Sequence, residues 1–557
     1  MAPICPVFKK NDRIVFLGDS ITEQQLYTNY VESYLTLRYP GHNLTFFNAG
    51  WGGDVAPGGL QRLERDVMSL SPDLVTLCYG MNDGQYTTPK LEVQDPFLRG
   101  MRGLLERFKK EGIRVVLLTP GYADEKANPS LAKVSYNTRG LRRLSDLVLE
   151  LARDYRVPVF DIHALMNQVD ARGKKAEKDF CMAPDGFHPN PAGHLVMAHG
   201  LLQALGVPAL SLKAQISLPS GRARTSRGVR LSDFKLQNGG IRFSVSLDRF
   251  PFYIEPAARA VLPYLPFEES YNQLIVSIRG LSKGFYYFRG ELDRSRPYSA
   301  AELARGVNLY SLWEVLPLSR PQAVHKFTND KCQTYYRVWR DLSLLGQPRE
   351  TQTYDREIHR LGIKAMPVWD RARRELAVSK ASPFTVRLVP GHAQGATEID
   401  NRDYVGRWKM RGPFKKPYAK DYLGGEAAVS AGKLKTSTGW KRVHLNLKNL
   451  GNGLGELYGP VTDCLAYALA EFQSPADQSA ELLLGSDDGF AVYLNGARLA
   501  SRLDLQRGVV PDQDRIKVRF KKGRNLLLLK ISQGSGNWGF CVRFAGLVHP
   551  LIETTGP

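Results

Sequence analysis

The chain has 557 residues, 43% of them hydrophobic, and a formal net charge of +21. Its length implies roughly three or four domains at ~150 residues each. No run approaches ~18 consecutive apolar residues, which excludes a transmembrane helix. The opening stretch Met1–Lys10 holds Pro3, Pro6, Lys9 and Lys10 and no apolar core, so it is not a secretory signal as it stands; an extracytoplasmic location, secreted or periplasmic, requires that a leader has been removed. The six cysteines, Cys5, Cys78, Cys181, Cys332, Cys464 and Cys541, form no C-x-x-C pair, which argues against a zinc or thioredoxin-like site. Cys464 and Cys541 both fall in the last region, where they would pair only in an exported protein. The basic charge favours a polyanionic partner in general. Here it is spread over short clusters such as Gly221–Arg224, Lys415-Lys416 and Lys521-Lys522, with no nucleic-acid motif. The expectation is a solvated basic surface, with an acidic glycan next and no nucleic acid expected.

In chain order, residues 11–207 alternate apolar strands with helical stretches. The predicted strands are 14–17, 44–48, 74–79, 114–118 and 158–161; helical stretches are predicted over 30–38, 60–70, 97–111 and 135–154, and a closing helix over 191–205. Continuous apolar strands separated by helices imply a parallel sheet covered on both faces. Residues 208–309 read as a β-rich domain with strands at 241–247 and 273–278 and a turn at Gly280–Gly284. Ser299-Ala-Ala-Glu302 has the capping-box pattern and starts a helix at Ala300. Residues 310–380 read as a helical hairpin that turns at Leu344–Pro348. Residues 381–557 are rich in strands and glycine and read as a β-sandwich. Within it Gly485-Ser-Asp487-Asp488-Gly489 reads as a hairpin turn with strands on either side.

The chemistry concentrates in the first 207 residues. Gly18-Asp19-Ser20 follows the first apolar strand, an address that holds a serine open at the rim of a sheet. Such a serine needs a base, a group that orients the base, and donors for the oxyanion. His188 is the candidate base. Asp185, three residues earlier on the same loop, can reach its Nδ1 and leave Nε2 for Ser20. Asn48-Ala-Gly-Trp-Gly-Gly53-Asp54 follows the second strand, and its glycines let a main-chain N–H approach a substrate. Tyr79-Gly80-Met81-Asn82-Asp83 follows the third strand and offers the Asn82 amide. All four segments lie at the carboxyl edge or the closing helix of one sheet, where ligands bind in α/β folds.

Taken in order, these four segments resemble the motif blocks of the SGNH/GDSL hydrolase family. The resemblance covers about residues 11–207. It implies a three-layer, flavodoxin-like α/β domain within a multidomain chain, and a serine esterase that needs no metal or cofactor. Ser20 matches the nucleophile and Asp185 and His188 the Asp-x-x-His pair. Gly53 and Asn82 match the oxyanion donors, with the Ser20 N–H as the third. Asp19, Asp54 and Asp83 are expected as supporting groups, and Gln24, where many relatives carry glycine, as part of the pocket wall. His163, His194 and His199 are expected to be structural.

The C-terminal part resembles carbohydrate-binding β-sandwich modules, some of which hold calcium on adjacent aspartates such as Asp487-Asp488 here. Trp538 is a candidate to stack on a sugar, or a core residue. The expected partner is an acylated carbohydrate, an acidic one being the alternative that the basic charge suits, and the expected activity is hydrolysis of its O-acetyl esters. The alternatives are a lipid or arylester hydrolase, and a glycan-binding scaffold with a vestigial hydrolase domain.

Overall fold

The computed structural model describes residues 6–237, 240–289, 295–313, 315–316, 318–336, 368–377, 384–391, 397–399, 404–433, 439–444, 453–458, 461–536 and 538–554. The N-terminal domain is built on five parallel strands: β1 (Arg13–Gly18), β2 (Thr45–Gly50), β3 (Leu74–Cys78), β4 (Arg114–Leu118) and β5 (Val159–Phe160). Their spatial order is β2-β1-β3-β4-β5. Side chains alternate across the sheet, and both faces are covered, which is why the strands are mostly apolar. Ile14, Phe16, Phe46, Val116 and Leu118 pack on one face with helices α2 (Leu26–Arg38) and α3 (Pro191–Ala204). Val15, Leu17, Phe47, Val75, Leu77, Val115 and Leu117 pack on the other with helices Leu91–Lys110 and Arg142–Tyr155.

The chain leaves β1 toward β2 on one side and returns to β3 on the other. The crevice at the carboxyl ends of β1 and β3 is therefore a topological switch point, the place where open α/β sheets bind ligands.

Helix α2 is buried almost all round, although Thr28, Asn29, Glu32, Ser33, Thr36 and Arg38 give it polar residues on every side. Each finds a partner. Arg38 Nη1 donates to the Phe250 carbonyl at 2.8 Å, and the Asn29 amide donates to Asn329 at 2.7 Å. Helix α4 (Ser319–Tyr336) covers it, together with a helix over 368–377. The turn expected at Leu344–Pro348 lies outside the described residues. At the centre of this contact Glu32, Lys331, Asp370 and Arg373 are all fully buried. Lys331 and Arg373 both bond Glu32; Lys331 also reaches Asp370 at 3.2 Å and Arg373 reaches it at 2.7 Å. Burial works against the Lys331 charge, but Asp370 and Glu32 outweigh it and hold its pKa above the ordinary value.

Beyond residue 207 a four-stranded and a five-stranded sheet share one apolar core that includes Leu212, Ile216, Phe243, Val276 and Phe288. Helix Ala300–Arg305 carries both bonds of the Ser299/Glu302 capping box. One strand departs from expectation. Phe384–Gly391, assigned by sequence to the last region, lies inside the five-stranded sheet between Gly240–Leu247 and Phe285–Arg289. An alternating strand carries no mark of which sheet it will join, so the boundary expected at 381 does not match the pairing.

The last region contains an eight-stranded and a three-stranded sheet that share a core including Phe472, Leu482, Phe520, Leu529 and Phe544. Strands Gln478–Ser486 and Phe490–Leu494 belong to different sheets. Gly485–Gly489 is therefore a crossover, not the hairpin turn expected from Asp-Gly. Asp488 takes a left-handed φ of 59°, and its carboxylate accepts the Arg507 N–H at 3.1 Å and the Gly534 N–H at 2.5 Å. Among the described residues no group of three or more His, Cys, Asp or Glu is placed to hold a metal. Trp538 is a core residue, and Cys464 and Cys541 are free thiols. No described helix is long and apolar enough to cross a membrane.

Candidate active site

The chain turns from β1 directly into the short helix α1 (Ser20–Glu23), capped by the Asp19 carboxylate, which accepts the Ile21 N–H at 3.0 Å. That cap places Ser20 in the first helical turn, where main-chain N–H groups have no intrahelical acceptor. The elbow is tight. A Cβ on Gly50 would stand 2.2 Å from the Glu23 nitrogen, and one on Gly18 would stand 2.6 Å from the Cys78 carbonyl. Glycine at both positions lets the ends of β1, β2 and β3 close around α1. Asn48 ties it further, donating to the Thr22 carbonyl at 2.7 Å while its Oδ1 accepts the Gly50 N–H at 2.9 Å.

Ser20 Oγ lies 2.8 Å from His188 Nε2, and His188 Nδ1 lies 2.7 Å from Asp185 Oδ2. A carboxylate only accepts, so Nδ1 carries the proton and Nε2 is free to receive the one donated by Ser20. The other Asp185 oxygen accepts the main-chain N–H of His188 at 2.8 Å and of Phe187 at 3.0 Å. Burial alone would raise the Asp185 pKa. The bonds from the His188 and Phe187 N–H groups and the His188 ring outweigh it and bring the pKa below the ordinary value. His188 remains 30% exposed in its side chain and Asp185 48%, so the pair opens to solvent.

The other predicted residues lie on neighbouring loops and helices of the same domain. Gly53 takes a φ of +72°, with no atom within 4 Å of where a Cβ would stand. Among the described residues its N–H has no acceptor. Asn82 Nδ2 donates to the Asp54 carbonyl at 2.9 Å, which joins the loops after β2 and β3. Asp54 accepts from Arg62 Nε at 2.8 Å and from the Tyr79 hydroxyl at 2.7 Å. Asp83 Oδ1 accepts the Ala56 N–H at 2.8 Å, whereas its Oδ2 is buried without a hydrogen-bond partner among the described residues. Gln24 Oε1 accepts from His194 Nε2 at 2.8 Å. His194 and His199 are buried, and burial lowers their pKa values to about 3 and about 4. His163 is buried too, and its Nδ1 donates to the Gly121 carbonyl at 3.0 Å.

Sequence reasoning missed Arg62, Tyr79 and Tyr86. Arg62 lies behind the elbow, where it donates to the Gly18 carbonyl at 3.1 Å, the Tyr79 hydroxyl at 3.0 Å and the Asp66 carboxylate at 3.2 Å. An arginine on an amphipathic stretch carries no sequence mark of such a role. Helix α4 also reaches the elbow: Tyr336 donates to Glu23 at 2.9 Å and Gln333 to Gln25 at 3.3 Å.

Asp19 and Asp83 give the site a pH signature. Burial pushes both carboxyls up to about 7, and the nearby Asp54 charge adds to it. In the unfolded chain they titrate near ~3.9. Between those values the folded state binds more protons than the unfolded state, so their contribution to stability falls as pH rises from ~4 to about 7 and then levels off. Asp83→Asn is expected to flatten part of that slope, read as the urea midpoint against pH beside wild type. Parallel slopes would contradict the assignment.

Residues 16–196 match the profile of the GDSL-like lipase/acylhydrolase family. The N-terminal domain is a GDSL hydrolase domain. That family is one of carboxylic ester hydrolases, and Ser20, Gly53, Asn82, Asp185 and His188 all lie within the matched residues. The acetylxylan esterase of Geobacillus stearothermophilus is 25% identical over 216 residues, which cover 35% of this chain and 94% of that protein. A solved gut microbial diltiazem-metabolizing enzyme superposes with a TM-score of 0.58 at 21% identity, over 70% of this chain and 100% of its own. That share exceeds the GDSL domain, so the likeness in fold extends into the strand-rich regions. A solved acetyl-xylooligosaccharide esterase from the same Geobacillus is 24% identical over 36% of this chain and 95% of its own, with a TM-score of 0.30.

Proposed function

We propose that this chain is a serine esterase that removes O-acetyl groups from a polysaccharide. The observation that carries the reading is the continuous line from Ser20 Oγ through the His188 ring to Asp185, at 2.8 and 2.7 Å. Ser20 Oγ attacks the acetyl carbonyl while His188 Nε2 takes its proton. The resulting oxyanion is held by the N–H groups of Ser20 and Gly53 and by the Asn82 amide. His188 then returns the proton to the departing sugar oxygen. Water, deprotonated by His188, attacks the acetyl-serine and releases acetate and free Ser20. Asp185 keeps the ring in the tautomer this requires and stabilises the imidazolium. Asp19, Asp54 and Asp83 shape the loops without entering the reaction.

The choice of acetyl and of carbohydrate draws on the acetylxylan esterase relative and on the strand-rich regions beyond the GDSL domain. The net charge of +21 suits a glycan that carries uronic acids. The decisive panel measures acetate released from acetylated xylan and acetylated pectin against hydrolysis of long-chain 4-nitrophenyl esters. Preference for the acetylated glycans supports the proposal, and preference for long acyl chains replaces it with a lipid hydrolase. Asn82→Ala is expected to lower kcat by ~10²–10³ with little change in KM, the usual effect of losing one oxyanion donor. An unimpaired Asn82→Ala enzyme would remove Asn82 from the site.

A further inference from the structure

The Asn82 side chain can serve an oxyanion only if its amide is held the right way round. Its two faces contact different groups. One atom lies 2.9 Å from the Asp54 main-chain carbonyl and the other 2.7 Å from the Tyr86 hydroxyl. A carbonyl oxygen only accepts, so the atom facing Asp54 is Nδ2 and the atom facing Tyr86 is Oδ1, to which Tyr86 donates. One Nδ2 hydrogen is then committed to Asp54, and the second remains for a ligand.

The Tyr86 ring is fixed independently of that bond. It packs 5.3 Å from the Tyr136 ring and 5.4 Å from the Phe187 ring, and Phe187 in turn lies 4.6 Å from the His188 ring. Tyr136 bonds the Met81 carbonyl in the same loop, and a Cβ on Gly84 would stand 2.2 Å from the Tyr136 hydroxyl oxygen. Gln85 and Tyr86 hold left-handed φ values of 50° and 52°, an uncommon conformation for two successive residues with side chains. The loop thus accepts backbone strain and gives up a side chain at position 84, and the outcome is a tyrosine hydroxyl aimed at Asn82. Burial and the Asp19 and Asp185 charges raise the Tyr86 pKa, so the hydroxyl keeps its proton at neutral pH.

We infer that Tyr86 is a positioning residue that sets the orientation of the Asn82 amide, and that its ring couples this oxyanion donor to the loop bearing His188. This rests on the esterase reading of the site. Tyr86 touches no reacting atom; it acts through Asn82.

A double-mutant cycle with 4-nitrophenyl acetate tests it, using Tyr86→Phe, which keeps the ring and removes the hydroxyl, alone and with Asn82→Ala. Alone, Tyr86→Phe is expected to lower kcat about tenfold, with KM within about twofold of wild type, as for a lost interaction made mainly in the transition state. In the Asn82→Ala background the same change is expected to leave kcat within about twofold, because the group it positions is gone. A tenfold loss in both backgrounds, or none in wild type, would overturn the inference while leaving the esterase reading intact. An Asn82→Ala enzyme with wild-type kcat would overturn the oxyanion assignment and the inference with it.

Discussion

A Ser20→Ala enzyme folds as the wild type does and loses ester hydrolysis by about 10⁴-fold or more in kcat. The fold is expected to survive because nothing that shapes the elbow depends on the Ser20 hydroxyl. The Asp19 carboxylate still caps Ile21, Asn48 still bonds the Thr22 carbonyl, and Arg62 still bonds the Gly18 carbonyl. The loss is large because Oγ forms the covalent intermediate, and a methyl group has no electron pair to offer. His188→Ala is expected to cost a similar factor, and the double variant little more than either, since the two groups act as one unit. The check is steady-state hydrolysis of 4-nitrophenyl acetate by purified variants whose circular dichroism matches wild type. A Ser20→Ala enzyme within tenfold of wild type would remove the nucleophile from Ser20.

The second large effect is on stability. Lys331→Met removes one of two cations from the buried group of Glu32, Asp370, Lys331 and Arg373. Arg373 is left to balance two carboxylates in a dry contact, and breaking a buried ion pair from one side typically costs about 3–5 kcal/mol. The urea midpoint of Lys331→Met is expected to drop accordingly, and adding Glu32→Gln is expected to recover part of the loss by removing the unbalanced charge. A loss below ~1 kcal/mol in Lys331→Met would show that the group is solvated or rearranged. The same variant bears on activity. Helix α4 carries Lys331 in its buried centre and Gln333 and Tyr336 at its end, bonded to Gln25 and Glu23 beside the nucleophile. Loosening α4 is therefore expected to lower turnover as well as stability.

The Asp185–His188 pair and the Ser20 address were legible because each is local to one loop, while their partnership across 168 positions was read from the resemblance of the four segments taken in order. A serine after an apolar strand and a carboxylate three residues before a histidine are spacings within single loops. The parallel strands were legible for a similar reason, since burial on both faces leaves unbroken apolar runs. What escaped depended on packing between distant segments. Helix α2 was expected only from residue 30 and begins at Leu26, because the pattern that marks a surface helix is missing. Asn29 and Arg38 on it are bonded to α4 and to the segment around Phe250, some 200 to 300 positions away. Strand Phe384–Gly391 and the crossover at Gly485–Gly489 were misassigned for a related reason: alternation records that one face of a strand is buried, not which sheet buries it. Arg62, Tyr79 and Tyr86 are ordinary residue types whose part in the site exists only once three strand ends meet.

The central claim is that Ser20 is the activated nucleophile of this chain, and labelling tests it most directly. Wild-type protein treated with a serine-directed fluorophosphonate is expected to gain the mass of one adduct, mapped by peptide mass spectrometry to Ser20. Ser20→Ala is expected to gain none, and His188→Ala to react far more slowly. An adduct on another serine, or a folded wild-type protein that stays unlabelled, would contradict the account.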